Sequence, residues 1–217
     1  MTRLYSILLV AFLMVACNKQ AKDKGFDENN LIKPVDYGVY HRLPDDGIKI
    51  FLPEGFKKLT VSDITGFLDS VPNEKMREYL KKSYRLRKFM PGNYYDFFNE
   101  EYFGEAVVTT MKYMPFDRST AGQLLFYLRM SHEKEQRITG IGYEKLASTY
   151  MGNENMSIFK AIYKLEYPDS TKVKFRNELE DIYNTIYVIS AGSKTFTINI
   201  TVPFEADFDP FIKRIKL

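Results

Sequence analysis

The sequence predicts an α+β domain in which an antiparallel β-sheet is flanked by helices. The first observation is the period-two alternation of SIFKAIYKLEY, residues 157–167, which is typical of a β-strand. The second is a hairpin pattern, in which IYVIS (186–190) turns through AGSK into TFTINITVP (195–203). The third is a set of helical patterns before, between and after these strands. A meander of strands with helices around it indicates a layered α+β domain.

The chain begins with a short apolar run that predicts a secretory signal. Leu4–Ala16 is almost wholly apolar and follows Arg3, whereas a helix needs about 20 apolar residues to cross a bilayer. The run ends in Met14-Val15-Ala16-Cys17, which resembles the lipobox of bacterial lipoproteins. In those proteins a peptidase cuts before the cysteine, and the thiol carries a diacylglycerol thioether. We therefore expect residues 1–16 to be a signal peptide and Cys17 to be the lipidated residue. An uncleaved anchor or a plain signal peptide is the alternative.

Residues 17–36 separate this signal from the rest of the chain. They are polar and charged with little apolar periodicity, which predicts a flexible tether. Residues 37–217 are then expected to form a single domain, because a segment of this length buries a core without disulfides.

The composition argues against several classes of site. The formal net charge of +3 is nearly balanced and gives no reason to expect a nucleic-acid partner. Cys17 is the only cysteine, so neither a disulfide framework nor a thiolate metal site is expected in the domain. The whole chain has two histidines, so we expect no zinc site of the usual kind and no cofactor.

The first half of the domain shows two strand patterns and one helix pattern. IKIFLP, Ile48–Pro53, predicts a strand between two turn signals, DDG and PEG. Pro72–Arg87 predicts a helix with the proline at its first position. We expect an aromatic-rich loop over Pro91–Gly104, whose aromatic stretch 94–103 either lines a groove or packs in the core. Glu105–Tyr113 predicts a strand through its β-branched residues.

The second half adds a helix and further turns. TAGQ has the capping-box spacing and precedes an apolar stripe, so a helix is expected over Thr120–Glu133. The stripe consists of Ala121, Leu124, Leu125 and Leu128. Residues 137–156 show no clear pattern. PDST at 168–171 predicts a turn into the segment KVKF. Asp209 and the proline after it predict the start of a closing helix.

Two segments resemble PsbP-like domains. IKIFLPEGFKKL (48–59) is similar to their first strand, which runs into Leu-Pro-x-Gly and an aromatic residue. That residue is Phe56 here, where tryptophan is common in the family. ISAGSKTFTINITVPFEADFDPFIKRIKL (189–217) is similar to their turn, alternating strand, acidic linker and terminal helix. The resemblance implies an antiparallel sheet sandwiched between helices. It also implies an extrinsic, non-enzymatic binding or assembly factor of a kind often tethered by lipid in bacteria.

No catalytic motif is evident in the sequence. His132 lies between Ser131 and Glu133, but neighbours in a helix point in different directions, which counts against a triad. There is no G-x-S-x-G elbow, and the glycine pair at 140 and 142 lacks the third glycine of a dinucleotide site. We therefore predict no catalytic residues and a non-enzymatic protein. The alternative is an envelope hydrolase whose carboxylates come together only in the fold.

The segment KMREYLKKSYRLRK, residues 75–88, is strongly basic. It holds seven basic residues and one acidic residue, Glu78. A basic amphipathic helix suits an anionic lipid surface or an acidic partner. A solvated helix face whose cations favour the C-terminal end is the simpler interpretation. The candidate partner- or lipid-binding residues are Lys75, Arg77, Lys81, Lys82, Arg85, Arg87 and Lys88.

Together these features predict a lipid-anchored cell-envelope protein that binds or helps to assemble another envelope component. The expected partners are the membrane, through the N-terminal lipid, and an envelope protein. Asn18 follows Cys17, in place of the Asp that retains many lipoproteins on an inner membrane. No acidic cluster of the kind that directs lipoproteins to the cell exterior follows immediately. We therefore expect the outer membrane, facing the periplasm. A further alternative is a protein that binds anionic lipid through residues 75–88.

Overall fold

The computed structural model of the chain describes residues 31–32, 37–153, 155–167 and 181–217. Within those residues the strands are β1 (Gly38–Leu43), β2 (Ile48–Pro53), β3 (Phe56–Lys58), β4 (Tyr94–Asn99), β5 (Gly104–Met111), β6 (Gly142–Gly152), β7 (Met156–Glu166), β8 (Ile182–Ala191) and β9 (Lys194–Val202). The helices are α1 (Val61–Ser70), α2 (Glu74–Arg87), α3 (Arg118–Thr139) and α4 (Asp209–Ile212), with a 3₁₀ turn at Pro44–Asp46. No helix in this part of the chain is both long and apolar enough to cross a bilayer.

Seven of these strands form one antiparallel sheet with the order β3-β4-β5-β9-β8-β7-β6. Strands β1 and β2 form a separate antiparallel hairpin. The two edges of the large sheet differ, since β3 has three residues and β6 has eleven. A β-bulge interrupts the pairing of β6 with β7 between Lys145 and Ala147. The α+β prediction is confirmed.

The β8–β9 hairpin forms as the sequence predicts. Gly192 and Ser193 both have positive φ, +53° and +62°, which matches the twist of the flanking strands in a two-residue turn. The turn fixes the register so that Ala191 lies opposite Lys194. One face of β9 is consequently apolar and fully buried, and we call this side of the sheet the first face. The residues are Phe196, Ile198, Ile200 and Val202.

The β1–β2 hairpin and α4 cover this first face. Ile50 and Leu52 of β2 belong to the same buried cluster as Phe97 of β4 and Phe211 of α4. The ring of Phe211 stacks on that of Phe51 with 5.7 Å between centroids. A hairpin and a single helical turn therefore close this side of the sheet.

A buried ion pair holds α4 on the first face. Lys160 of β7 is 4% exposed, and its Nζ lies 3.3 Å from Oδ2 of Asp209 at the start of α4. The hydroxyl of Tyr187 donates to the other carboxylate oxygen at 2.8 Å. Two strands of the sheet thus bind one carboxylate, which places the closing segment.

The second face of the sheet carries the three longer helices. Leu124, Leu125 and Leu128 of α3 pack on the cluster of Phe159 and Ala161 in β7, which confirms the predicted apolar stripe. Phe67 of α1 packs against Phe98 of β4. Met76 of α2 contacts a cluster at the end of β7 and the start of β8.

Several local predictions were wrong. The expected aromatic loop contains strand β4, because Tyr95 and Phe97 face the hairpin while Phe98 faces α1, so both sides of the segment are buried. The helix expected from Thr120 begins earlier, because the side chain of Asp117 caps it by accepting from Thr120 N–H at 2.8 Å. That helix also runs to Thr139, and β6 occupies the segment without a clear pattern.

Smaller differences concern the helix ends. Helix α2 begins at Glu74 because the Asn73 side chain accepts from Met76 N–H at 2.9 Å and caps the helix. Helix α1 is not among the predicted elements, and the closing helix α4 has four residues. Pro168–Thr171 and the KVKF segment lie outside the described residues, as do residues 1–30 and 33–36.

Two residues of the predicted tether pack on the domain. Leu31 is buried, and Ile32 forms a parallel bridge to Ala206, with its N–H donating to the Glu205 carbonyl at 3.0 Å. The packed part of the described chain therefore includes residues before Tyr37. The tether and signal boundaries stay predictions.

We expect Asp209→Ala to lower the free energy of unfolding by about 3–5 kcal/mol, because Lys160 loses the carboxylate that offsets its desolvation. The double variant Lys160→Met/Asp209→Asn removes the buried charge and is expected to recover most of that loss. Urea unfolding followed by circular dichroism measures both. A loss below about 1 kcal/mol in Asp209→Ala would show that the pair does not anchor α4.

Candidate functional site

Two of the predicted binding cations, Arg77 and Lys81, form contacts within the domain. Nη1 of Arg77 donates to the carbonyl of Val71 at 2.9 Å, immediately after α1 ends. Nζ of Lys81 lies 2.7 Å from Asp69 Oδ1 in the last turn of α1. Both contacts join α2 to α1, so these side chains hold the helix pair together.

Arg87 is a third cation with an internal role. Its Nη1 donates to both carboxylate oxygens of Asp96, at 2.7 and 3.0 Å, on the second face of the sheet. The guanidinium also lies over the rings of Tyr84 and Tyr94, 5.6 and 5.2 Å from their centroids. Arg87 therefore anchors the C-terminal end of α2 to β4.

The remaining four cations of α2 are exposed to solvent. They are Lys75, Lys82, Arg85 and Lys88. The predicted set of seven thus divides into three residues that stabilise the helix layer and four that face outward. Binding of a partner or lipid by this helix stays a prediction.

Two carboxyl groups, Glu105 of β5 and Glu135 of α3, have raised pKa values. Burial raises the pKa of Glu105 to about 7; the Asp96 carboxylate and Glu135 act in the same direction, and the Arg87 guanidinium opposes them. Burial also raises the pKa of Glu135, although a hydrogen bond with Tyr143 partly offsets it. Glu105 therefore changes its charge near neutral pH.

A cleft of about 500 Å³ opens between α3 and strands β6 and β7. This volume is in the range of ligand pockets in proteins. Its lining is mainly aromatic and apolar, with charged groups of both signs. The residues are Gly122, Leu125, Phe126, Arg129, His132, Glu133, Gln136, Tyr143, Lys145 and Tyr163.

His132 lies in an aromatic cluster in the wall of this cleft. Its ring is parallel to that of Tyr143, with 3.9 Å between centroids and 4° between planes. The Tyr163 ring meets it edge-on at 4.4 Å. Within the described residues, His132 Nδ1 and the Tyr163 hydroxyl are buried without hydrogen-bond partners. Burial lowers the pKa of His132 to about 4, so the imidazole is neutral at pH 7.

The structure does not assemble the sequence Ser131-His132-Glu133 into a triad. Ser131 is exposed and does not line the cleft. The carboxylate of Glu133 lies 3.5 Å from Nε of Arg129, one helical turn earlier. None of the ten lining residues is a serine, threonine or cysteine; the hydroxyls in the lining belong to Tyr143 and Tyr163.

Gly122 gives the cleft an open side on α3. A Cβ added there would meet no atom within 4 Å. The cleft is not predicted from the sequence because it depends on β6, which contributes Tyr143 and Lys145 and lies in the segment without a clear pattern. Within the described part of the chain, no group of three or more His, Cys, Asp or Glu residues could hold a metal ion. The predicted lipidation residue, Cys17, lies outside the described residues.

We expect the stability of the protein to fall as the pH drops from about 6.5 to about 4 through His132. The unfolded chain protonates this residue near pH 6.5, whereas the folded chain holds it neutral down to about pH 4. His132→Phe keeps a ring in the stack but cannot titrate, so its advantage over the wild type should grow at lower pH. Urea unfolding at pH 7.5 and at pH 4.5 measures this difference. Parallel pH profiles for the two proteins would contradict the assignment.

Neither a protein-family model nor a curated protein matches this chain. The chain is similar in structure to cyanobacterial PsbP from Synechocystis, with a TM-score of 0.51 and 11% identity, over 84% of this chain and 94% of that chain. It is also similar to the Ran-binding protein Mog1p from Saccharomyces cerevisiae, with a TM-score of 0.47 and 11% identity, over 83% and 95% of the two chains. The likeness to PsbP concerns the fold and not a site. The domain therefore has a PsbP-like α+β fold, as the resemblance of its two ends implied.

Proposed function

We propose that this chain is a lipid-anchored, non-enzymatic cell-envelope protein that binds another envelope component in the cleft between α3 and β6. The observation that carries the proposal is the cleft itself, which combines an aromatic lining with an open side at Gly122. A preformed apolar cleft with a few polar groups is the usual form of a binding site.

The partner that fits the cleft is an extended segment of an envelope protein. β6 is the long edge of the sheet, and an edge strand can pair with an added strand of a partner. Side chains of such a strand alternate in direction, so some of them would enter the neighbouring cleft. Phe126 and Tyr143 favour an apolar or aromatic side chain there. Lys145 favours an acidic neighbour in the same segment.

Filling the cleft should abolish this binding without harming the fold. We expect Gly122→Leu to reduce recovery of the partner by more than about tenfold, since a buried anchor residue contributes that much or more to an interface. The measurement is amine-reactive cross-linking in envelope fractions, followed by capture and by mass spectrometry that identifies the cross-links to Lys145. A synthetic peptide of the cross-linked segment should then bind the wild type and not Gly122→Leu.

Gly66→Leu provides the matched control. Gly66 lies within helix α1, and a Cβ there also meets no atom within 4 Å. Each substitution replaces a helical glycine and should raise helix stability by about 1 kcal/mol. Equal capture by the two variants would contradict binding in the cleft. Turnover of an envelope polymer that is lost in Glu105→Gln or Glu135→Gln would contradict the non-enzymatic proposal.

The proposed location is the outer membrane, facing the periplasm. It is supported by the Met14–Cys17 segment, by Asn18 after the cysteine, and by the polar residues that separate Cys17 from Leu31. Two or more acyl chains at Cys17 would hold the domain stably on a bilayer, at about 0.8 kcal/mol per buried methylene.

We expect the wild-type protein to incorporate an alkyne analogue of palmitate and to sediment with outer membranes. Cys17→Ser should lose the label, because it removes the thiol to which the lipid is attached. Click labelling after metabolic feeding and density-gradient fractionation measure the two properties. A wild-type protein without label would rule out the lipid anchor but leave the cleft experiment intact.

A further inference from the structure

The end of α2 and the turn after it form an apolar projection, which we call the tip. The tip consists of Leu86, Phe89 and Met90, which are 48%, 85% and 54% exposed. Among the large apolar residues described as exposed, Phe89 is the most exposed. The Phe89 side chain gains almost no burial from the fold, since most of its surface faces water.

The backbone of the tip is firmly held. The N–H groups of residues 88, 89 and 90 each donate to a carbonyl three residues earlier, at 3.4, 2.9 and 3.2 Å. Gly92 then turns the chain with φ +101°, and a Cβ there would lie 1.8 Å from the Thr110 carbonyl oxygen. Phe89 therefore projects from a turn whose backbone is held by hydrogen bonds.

Exposed cations neighbour the tip in the sequence. Lys82, Arg85 and Lys88 are exposed on the same end of α2, and no ion pair involves them within the described residues. The neighbouring Lys81 and Arg87, in contrast, are paired with Asp69 and Asp96. The preference of cations for a helix C-terminus accounts for the basic residues but not for the exposed aromatic ring among them.

We infer that the tip docks on an anionic phospholipid bilayer. The aromatic ring of Phe89 would enter the region between headgroups and acyl chains, while the three cations stay at the headgroup level. Attraction of basic residues to anionic lipid contributes about 1 kcal/mol per residue near the surface. A bilayer moulds itself to a convex projection, whereas a protein partner would need a concave site for it. The tip shares no residue with the cleft, so the domain would bind its partner and orient on the membrane through different sets of residues.

The chain contains no tryptophan, so Phe89→Trp places a single fluorescent reporter on the tip. We expect its emission to shift to shorter wavelength when the full-chain protein is reconstituted into vesicles of phosphatidylethanolamine and phosphatidylglycerol. Lipids brominated in their acyl chains should quench it. Both effects should be absent in phosphatidylcholine vesicles and should weaken with added salt. Because the signal comes from residue 89, it does not depend on how residues 1–30 attach the chain.

Matched variants separate tip docking from simple proximity to the membrane. Tyr127→Trp places the reporter on α3, where Tyr127 is 66% exposed, and should show neither shift nor quenching. In the Phe89→Trp protein, Lys82→Gln/Arg85→Gln/Lys88→Gln should abolish both effects. Arg118→Gln/Lys134→Gln/Arg137→Gln removes three exposed cations from α3 and should leave them unchanged.

Four results would overturn the inference. They are an unshifted Phe89→Trp emission on anionic vesicles, equal quenching of Tyr127→Trp, equal effects of the two charge triples, and a shift that requires added envelope proteins. The last result would identify the tip as a protein-binding surface instead of a lipid-binding one.

Discussion

The layer over the first face of the sheet depends on the ion pair between Lys160 and Asp209. A lysine in the middle of a β-strand facing an apolar core would be costly alone, and the carboxylate offsets that cost by holding α4 in one place. From α4 the chain continues to Lys216, which pairs with Lys49 of β2. The same segment places Phe211 against Phe51. One polar contact thus positions an otherwise apolar layer, while the opposite face carries the cleft and the helix that bears the tip.

The sequence predicts best those elements in which the turn residues and the pattern of buried residues specify the same structure. In the β8–β9 hairpin, a two-residue turn and a strand with one apolar face specify the same register, so no distant contact is needed. β4 is the opposite case. Tyr95, Phe97 and Phe98 point to both faces and all are buried, so the alternation that marks a strand is lost. Asp96 interrupts the apolar run, and only its partner Arg87 shows why a carboxylate belongs there.

The candidate sites depend more strongly on the fold than the strands do. Sequence alone identifies a basic helix, but the division of its cations into internal and exposed residues depends on Asp69 and Asp96, which belong to α1 and β4. The cleft could not be predicted, because β6 has a bulge that breaks its period-two pattern beside Lys145. In the sequence, His132 stands out because it lies between Ser131 and Glu133. In the structure, its surroundings are the rings of Tyr143 and Tyr163.

The bulge in β6 also affects what this edge of the sheet can join. A long regular edge strand can pair with a second copy of itself, which leads to continuous sheets and aggregation. The irregularity between Lys145 and Ala147 interrupts such a ladder near its middle, so two full-length copies of β6 cannot align without a break. A short guest strand can still pair on one side of the irregularity. In the proposed binding mode, the edge would therefore accept a brief segment and resist polymerisation.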